Sequence, residues 1–200
     1  MVALSCFPSV AFGGSRALPS SAAPLVSRVV GAVLAAGGAV AVGCASGGDE
    51  LVLSAALSAG AASRLSVFAV GSAGGAGFWS GSAPLALLRS AVAAGAAVAW
   101  LAGGGLAVPL RARLLSRSVA CIRSVAPAGA CVFFLASPSS PGSLRVAAFA
   151  AGLGLPVFAF AVGFAGAPAL LAGCAGAWVA SSFAGRPCWS WSAAQLGLFG

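Results

Sequence analysis

The sequence contains no Lys, Asn, Tyr, His or Thr, and one residue each of Asp, Glu, Gln, Ile and Met. Each absence removes a chemistry. Without His there is no Ser-His-Asp triad, no Cys-His pair and no mixed Cys/His zinc site. Without Lys there is no Walker loop. With Asp49 and Glu50 as the only acids, candidates for general acid/base catalysis are few. The missing residues share a coding property. Codons with adenine in the second position specify Tyr, His, Gln, Asn, Lys, Asp and Glu, and those for Thr, Ile and Met begin with adenine. A coding strand depleted of adenine strips polar residues from any protein. The 60% apolar and 6% charged composition is therefore weaker evidence for a membrane than usual.

The six cysteines, at 6, 44, 121, 131, 174 and 188, include no C-x-x-C pair. They read as small core residues, not as metal ligands or a disulfide framework. A reducing, cytoplasmic setting is the default, and Met1–Pro8 lacks the basic start of a secretory signal. No cofactor is implied. All ten basic residues are Arg, and the net charge of +8 favours anionic partners.

What is present is alternation. Short apolar runs at Ser9–Phe12, Ala39–Val42, Arg64–Val70, Ala97–Leu101, Ala130–Ala136 and Pro156–Val162 read as strands. Helices are expected at Ser20–Ala36 (capped by Ser20 or Ser21 and stopped by Gly37-Gly38), Asp49–Ala59, Ala83–Ala94, Pro109–Val125, Ser143–Ala151 and Pro168–Ser181. A Trp-rich tail follows. Gly71–Ser82 and Gly103-Gly104-Gly105 read as loops. Strands alternating with helices imply one α/β domain over 1–200: a Rossmann-like, mainly parallel sheet with helices on both faces. The alternative is a small multi-span membrane protein, because Val146–Gly185 is uncharged over 40 residues. Pro156, Pro168, many Gly and a bulk of Ala argue against spans there, and Arg residues interrupt the central half of the chain.

Two glycine-rich loops follow strands. Gly13-Gly14-Ser15-Arg16 follows the first, and Gly43-Cys44-Ala45-Ser46-Gly47-Gly48-Asp49 the second. Small residues let backbone approach a ligand, and a helix N-terminus favours phosphate. Arg16 would add a charge-assisted bond. Asp49 would either cap its helix or accept a ligand hydroxyl or amine; a plain turn explains the second loop as well. Arg111, Arg113, Arg117 and Arg123 form the densest basic cluster, read either as a solvated face or as phosphate contacts to a nucleotide or nucleic acid. Phe78, Trp79, Trp189 and Trp191 would stack bases or pack the core.

Four pieces in order resemble the SLOG superfamily, which groups the DprA/SMF proteins of DNA processing with LOG-like nucleotide phosphoribohydrolases. They are Val10-Ala11-Phe12-Gly13-Gly14-Ser15-Arg16; Val42–Asp49 followed by Ala55-Ala56-Leu57; Arg117-Ser118-Val119-Ala120-Cys121-Ile122; and Ser139–Leu144 followed by Ala147–Ala150 and Leu155–Phe158. Together they cover about residues 9–162. The resemblance implies a pocket at the carboxyl ends of the strands, lined by Gly13, Gly14, Ser15, Arg16, Gly43, Ser46, Gly47, Asp49, Arg117, Gly142 and Ser143. The amides of Gly142-Ser143 would cradle a second phosphate. The partner implied is a nucleotide or nucleotide-derived molecule; single-stranded DNA and a second copy of the chain are the further partners considered. Two departures count against catalysis. Val146 stands where LOG-type hydrolases carry a catalytic Glu, and Ser118 and Val119 interrupt the family's R-N-R pattern. Binding is therefore expected over bond breaking.

Overall fold

The computed structural model describes residues 6–71, 82–101 and 107–194. The loop positions Phe78, Trp79 and Gly103-Gly104-Gly105 lie outside these. The elements run β1 (Ser9–Gly14), α1 (Ala23–Ala35), β2 (Ala39–Gly43), α2 (Gly48–Ser58), β3 (Leu65–Val70), α3 (Ser82–Ala93), β4 (Ala97–Leu101), α4 (Leu110–Arg123), β5 (Ala130–Leu135), α5 (Pro141–Gly152), β6 (Val157–Ala161), β7 (Gly176–Phe183) and β8 (Arg186–Ala193). They form one eight-stranded sheet in the order β4-β3-β2-β1-β5-β6-β8-β7. The first six strands pair in parallel, and β8 joins β6 antiparallel.

Both faces of the sheet are covered, which is why the strands read as continuous apolar runs. α1, α2 and α3 pack Val26, Val30, Leu53, Val52 and Leu88 on one face, against Phe12, Val42, Val67 and Phe134. α4 and α5 cover the other with Cys121, Ile122, Ala147 and Ala150, against Phe133, Leu135 and Val157. β5 lies between β1 and β6, and all six of its residues are buried. Its Phe134 stacks on Phe160 with ring centroids 5.3 Å apart.

Helix ends follow local chemistry. At the end of α1, Gly37 takes φ +87°, a conformation that favours glycine, and the Gly37 and Gly38 amides donate back to Leu34 and Val33 carbonyls at 3.0 Å. Arg64 donates from Nη1 to the Leu34 carbonyl at 2.7 Å, placing a cation where the helix dipole is negative. The start of α1 differs from the sequence reading. Ser20–Ala22 form a 3-10 turn, α1 begins at Ala23, and no serine side chain caps it.

The largest correction lies near the C-terminus. No helix covers Pro168–Ser181; its end belongs to β7, and the Trp-rich segment is β8. The two strands form a hairpin closed by Ala184 (φ +54°) and Gly185 (φ +68°). Gly173 and Gly176, both at positive φ, break any helix there. Val146–Gly185 is therefore not a pair of spans; it holds most of α5, with β6 and β7. Among the described residues no helix is long and apolar enough to cross a membrane.

Candidate functional site

In this strand order, connections leave β1 toward β2 and leave β5 toward β6, in opposite directions. The carboxyl edge between β1 and β5 is therefore the switch point of the sheet, the place where open α/β sheets hold ligands. Glycines bring a third loop, that after β2, into the same place. Gly14 and Gly48 meet backbone to backbone: a Cβ added at Gly48 would lie 2.7 Å from the Gly14 Cα. Gly47 has φ +81°, and a Cβ there would press on the Ser15 and Arg16 carbonyls. The Gly48 amide donates to the Ser15 carbonyl at 3.1 Å.

Ser15 ties β1 to β5. Its amide donates to the Phe134 carbonyl at 2.9 Å, and its Oγ accepts from the Ala136 amide at 3.0 Å. The same Oγ lies 2.7 Å from Ser140 Oγ, which donates to the Ser137 carbonyl at 3.0 Å. With the Ser140 proton so used, Ser15 is the donor between the two hydroxyls. Ser140 directly precedes α5, whose first turn carries no acid. That helix end, half a positive charge in effect, sits beside the β1 loop with no anion of its own. The first turn of α2, by contrast, already holds Asp49 and Glu50.

Below the loops lies a buried ion pair. Arg117 donates from Nη1 to Asp49 Oδ2 at 2.6 Å, with 6% and 7% of the two residues exposed. Gly43 makes room for it, since a Cβ there would overlap the Arg117 guanidinium and the Asp49 carboxylate. Arg117 Nε is buried without a hydrogen-bond partner. Asp49 therefore serves the ion pair, and the residue preceding α2 is Gly47, with no side-chain cap.

Beside them is Cys44, its thiol pushed up to about 12, first by burial and then by the Asp49 charge. It is neutral at physiological pH and donates to the Pro84 carbonyl at 3.5 Å. Burial also raises Cys121, Cys131 and Cys188. All six cysteines are free thiols, and only Cys6 is exposed. No group of residues among those described is disposed to hold a metal.

One comparison fits this arrangement. The chain is similar to DNA processing protein A (DprA) from Streptococcus pneumoniae, solved by X-ray crystallography, with 25% identity and a TM-score of 0.54. The match covers 78% of this chain and 51% of that one. The domain is DprA-like. It has the Rossmann-like architecture of the SLOG group, and the chain spans about half the length of that protein. No family model and no curated protein matches the chain.

In the DprA-like frame, Gly13, Gly14, Ser15, Arg16, Gly43, Ser46, Gly47 and Asp49 converge on the carboxyl edge. Gly142 and Ser143 lie in the first turn of α5 next to Ser140. Arg16 and Ser46 are exposed, Gly142 is exposed with open space beside its Cα, and Ser143 is half-buried. The four α4 arginines do not make one surface. Arg113 and Arg117, four apart, share the buried side of the helix, whereas Arg111 and Arg123 are exposed. Arg123 lies 5.5 Å above the Phe149 ring, joining α4 to α5. Trp189 and Trp191 are half-buried against the second core, and Trp191 meets Trp178 edge-on at 5.3 Å. Ser140 and Gly48 lie in stretches that the sequence singled out, Ser139–Leu144 and Gly43–Asp49, but neither was placed among the site residues. The signal for Ser140 was a serine directly before Pro141, the pairing that opens helices. Gly48 carried no signal of its own, because its role is a backbone contact with Gly14.

Proposed function

We propose that this domain binds a phosphate-bearing nucleotide or nucleotide-derived ligand in the carboxyl-edge crevice, in a DNA-processing role. The observation that carries the reading is the Ser15–Ser140 junction at the point where the strand order reverses. It sets the acid-free N-terminus of α5 beside the loop that bears the exposed Arg16. In this reading the phosphate takes the amides of Gly142 and Ser143 and a charge-assisted bond from Arg16. Gly13, Gly14, Gly43 and Gly47 keep the crevice open, Ser46 lines its rim, and the Asp49–Arg117 pair forms its floor. Binding, not bond breaking, is what the residues support. Val146, on α5, is buried in the core, the Asp49 carboxylate is engaged by Arg117, and the Cys44 thiol stays protonated.

A second reading starts from the similar protein's description as a DNA processing protein and from the exposed arginines: the domain binds single-stranded DNA through Arg16, Arg111 and Arg123. Titration separates the two. A small-nucleotide site saturates with one nucleotide and raises the melting temperature. DNA binding persists across oligonucleotide sequences and weakens steeply with salt. Arg16→Ala should weaken nucleotide binding about tenfold or more, as expected for one charge-assisted bond. If neither nucleotides nor oligonucleotides change melting or mobility, both readings fail.

A further inference from the structure

Four large apolar side chains stand exposed among the described residues. Val92, Leu153 and Val179 lie away from the crevice, in the last turn of α3, just after α5 and in β7. Leu170 is the most exposed, at 68%, and sits on the loop that leaves the carboxyl end of β6. An exposed leucine is ordinary on a protein surface. This one is set apart by how it is held. Pro168 and Leu171 on either side are buried. The Ala169 amide donates to the Pro138 carbonyl at 2.8 Å, and the Ala169 carbonyl accepts from Trp178 Nε1 at 2.9 Å. Cys174 Sγ donates to the Ala148 carbonyl of α5 at 3.4 Å. With several ties, the loss of one leaves the loop in place. The backbone is ordered before any ligand arrives, which lowers the entropy lost on binding.

The place matters as much. Pro138 comes two residues before Ser140, which precedes α5 and meets Ser15. Counted along bonded residues, Leu170 stands on the order of 10 Å from the first-turn amides of α5, a distance one nucleotide covers. Pro138 and Ala169 are exposed too, so this rim of the crevice is apolar: Pro138, Ala169 and Leu170. The loop after β2, on the other side, exposes Ser46 and carries no large apolar side chain. A nucleoside monophosphate has a matching asymmetry, with one anionic end and one flat, weakly hydrated ring.

We infer that Leu170 seats the base of the ligand: a nucleoside 5′-monophosphate lies with its phosphate on α5 and Arg16 and its base over the β6–β7 loop, away from Ser46. This rests on the phosphate seat proposed above and adds the direction in which the ligand runs from it. Covering the exposed leucine removes apolar surface from water, which favours a base over a sugar phosphate alone. Every base has an apolar ring face, so Leu170 selects for the presence of a base more than for its identity.

The test is calorimetric titration of the full chain with the nucleoside 5′-monophosphates of the common bases, and with ribose 5-phosphate. At least one nucleotide should bind about fivefold or more tightly than ribose 5-phosphate. Leu170→Ser should weaken that nucleotide about fivefold and erase most of the preference. Ribose 5-phosphate, which has no base, should bind both proteins alike. Leu170→Met keeps an apolar side chain of similar volume and should retain the preference. The melting temperatures of both variants should match the parent's, because the exposed side chain has little packing to lose, so a loss of affinity reports contact and not folding. If nucleotides bind and Leu170→Ser binds them as the parent does, the base lies elsewhere; the seat at Leu170 is overturned while the phosphate seat stands. An equal loss of ribose 5-phosphate overturns it too, since Leu170 would then act on the phosphate end. If neither nucleotides nor ribose 5-phosphate bind, the phosphate seat itself fails and the base seat falls with it.

Discussion

The two ends of this sheet hold their loops by opposite means. At the carboxyl edge of β1, β2 and β5, loops are joined by polar bonds and glycine contacts: the Ser15–Ser140 pair, the Gly14–Gly48 approach and the Asp49–Arg117 ion pair. At the β7–β8 end, the hairpin is held by packing. Phe183 lies 4.8 Å from Phe158 between ring centroids, Trp178 meets Trp191, and one side-chain bond runs from Trp178 Nε1 to the Ala169 carbonyl at 2.9 Å. Packing tolerates change of detail, whereas close backbone contacts and buried charge do not. The first region therefore has the rigidity a binding site needs, and the second has the latitude of a surface.

The largest effect should come from splitting the ion pair. Arg117→Met leaves the Asp49 carboxylate buried without a partner and should cost about 3–5 kcal/mol in chemical denaturation. Adding Asp49→Leu to Arg117→Met should restore most of that. If the double variant is as unstable as the single one, the pair is not what holds α4 to α2. Next is Gly47→Ala, expected to cost about 3 kcal/mol. A side chain at φ +81° is strained, and its Cβ would press on two carbonyls of the β1 loop. An alanine at Gly185, also at positive φ but with open space around it, should cost only the conformational part, about 1 kcal/mol. Equal losses at the two glycines would erase the proposed difference between the regions.

The same contrast decides what the sequence could disclose. Strands β1 to β6 and helices α1 to α5 are readable to within a few residues, because glycines punctuate them. Gly37, Gly60, Gly95 and Gly154 each end a helix at positive φ. The two glycine-rich loops are readable for the same reason. The ion pair is not, because Asp49 and Arg117 stand 68 residues apart and nothing in spacing joins them. The hairpin was hidden by composition. Ala and Gly carry no periodicity, so Pro168–Ser181 offers a helix pattern by default. A real signal lay just beyond it: Trp189-Ser190-Trp191-Ser192 alternates with the period of a strand.

Smaller effects compare single ties. Ser15→Ala removes the acceptor for the Ala136 amide and the donor to Ser140, and should cost about 2 kcal/mol. Trp178→Phe removes one indole bond and should cost about 1 kcal/mol. Ser15→Ala should also weaken nucleotide binding, since it frees the α5 N-terminus to move away from Arg16. Trp178→Phe should leave binding unchanged. A binding loss in the hairpin variant would mean that the two regions are mechanically coupled.

The buried thiols make the last comparison, one of pH. Cys44 and Cys131 are each pushed up to about 12 from an ordinary 9.0, and Cys121 is raised by the same burial. The native state keeps these protons when the unfolded chain has lost them. Their contribution is therefore complete below pH 9 and declines as pH rises from 9 toward 12. Each fully buried thiol adds at most about 1.4 kcal/mol of loss per pH unit in that window. Denaturation midpoints should be flat from pH 7 to 8.5 and fall above 9. Cys44 lies at the site and Cys131 in the central strand β5. Cys44→Ala should flatten the decline by about as much as Cys131→Ala if both are shielded alike. A steeper residual slope in Cys44→Ala than in Cys131→Ala would show that water reaches Cys44 more readily than Cys131, as a site open to a polar ligand requires.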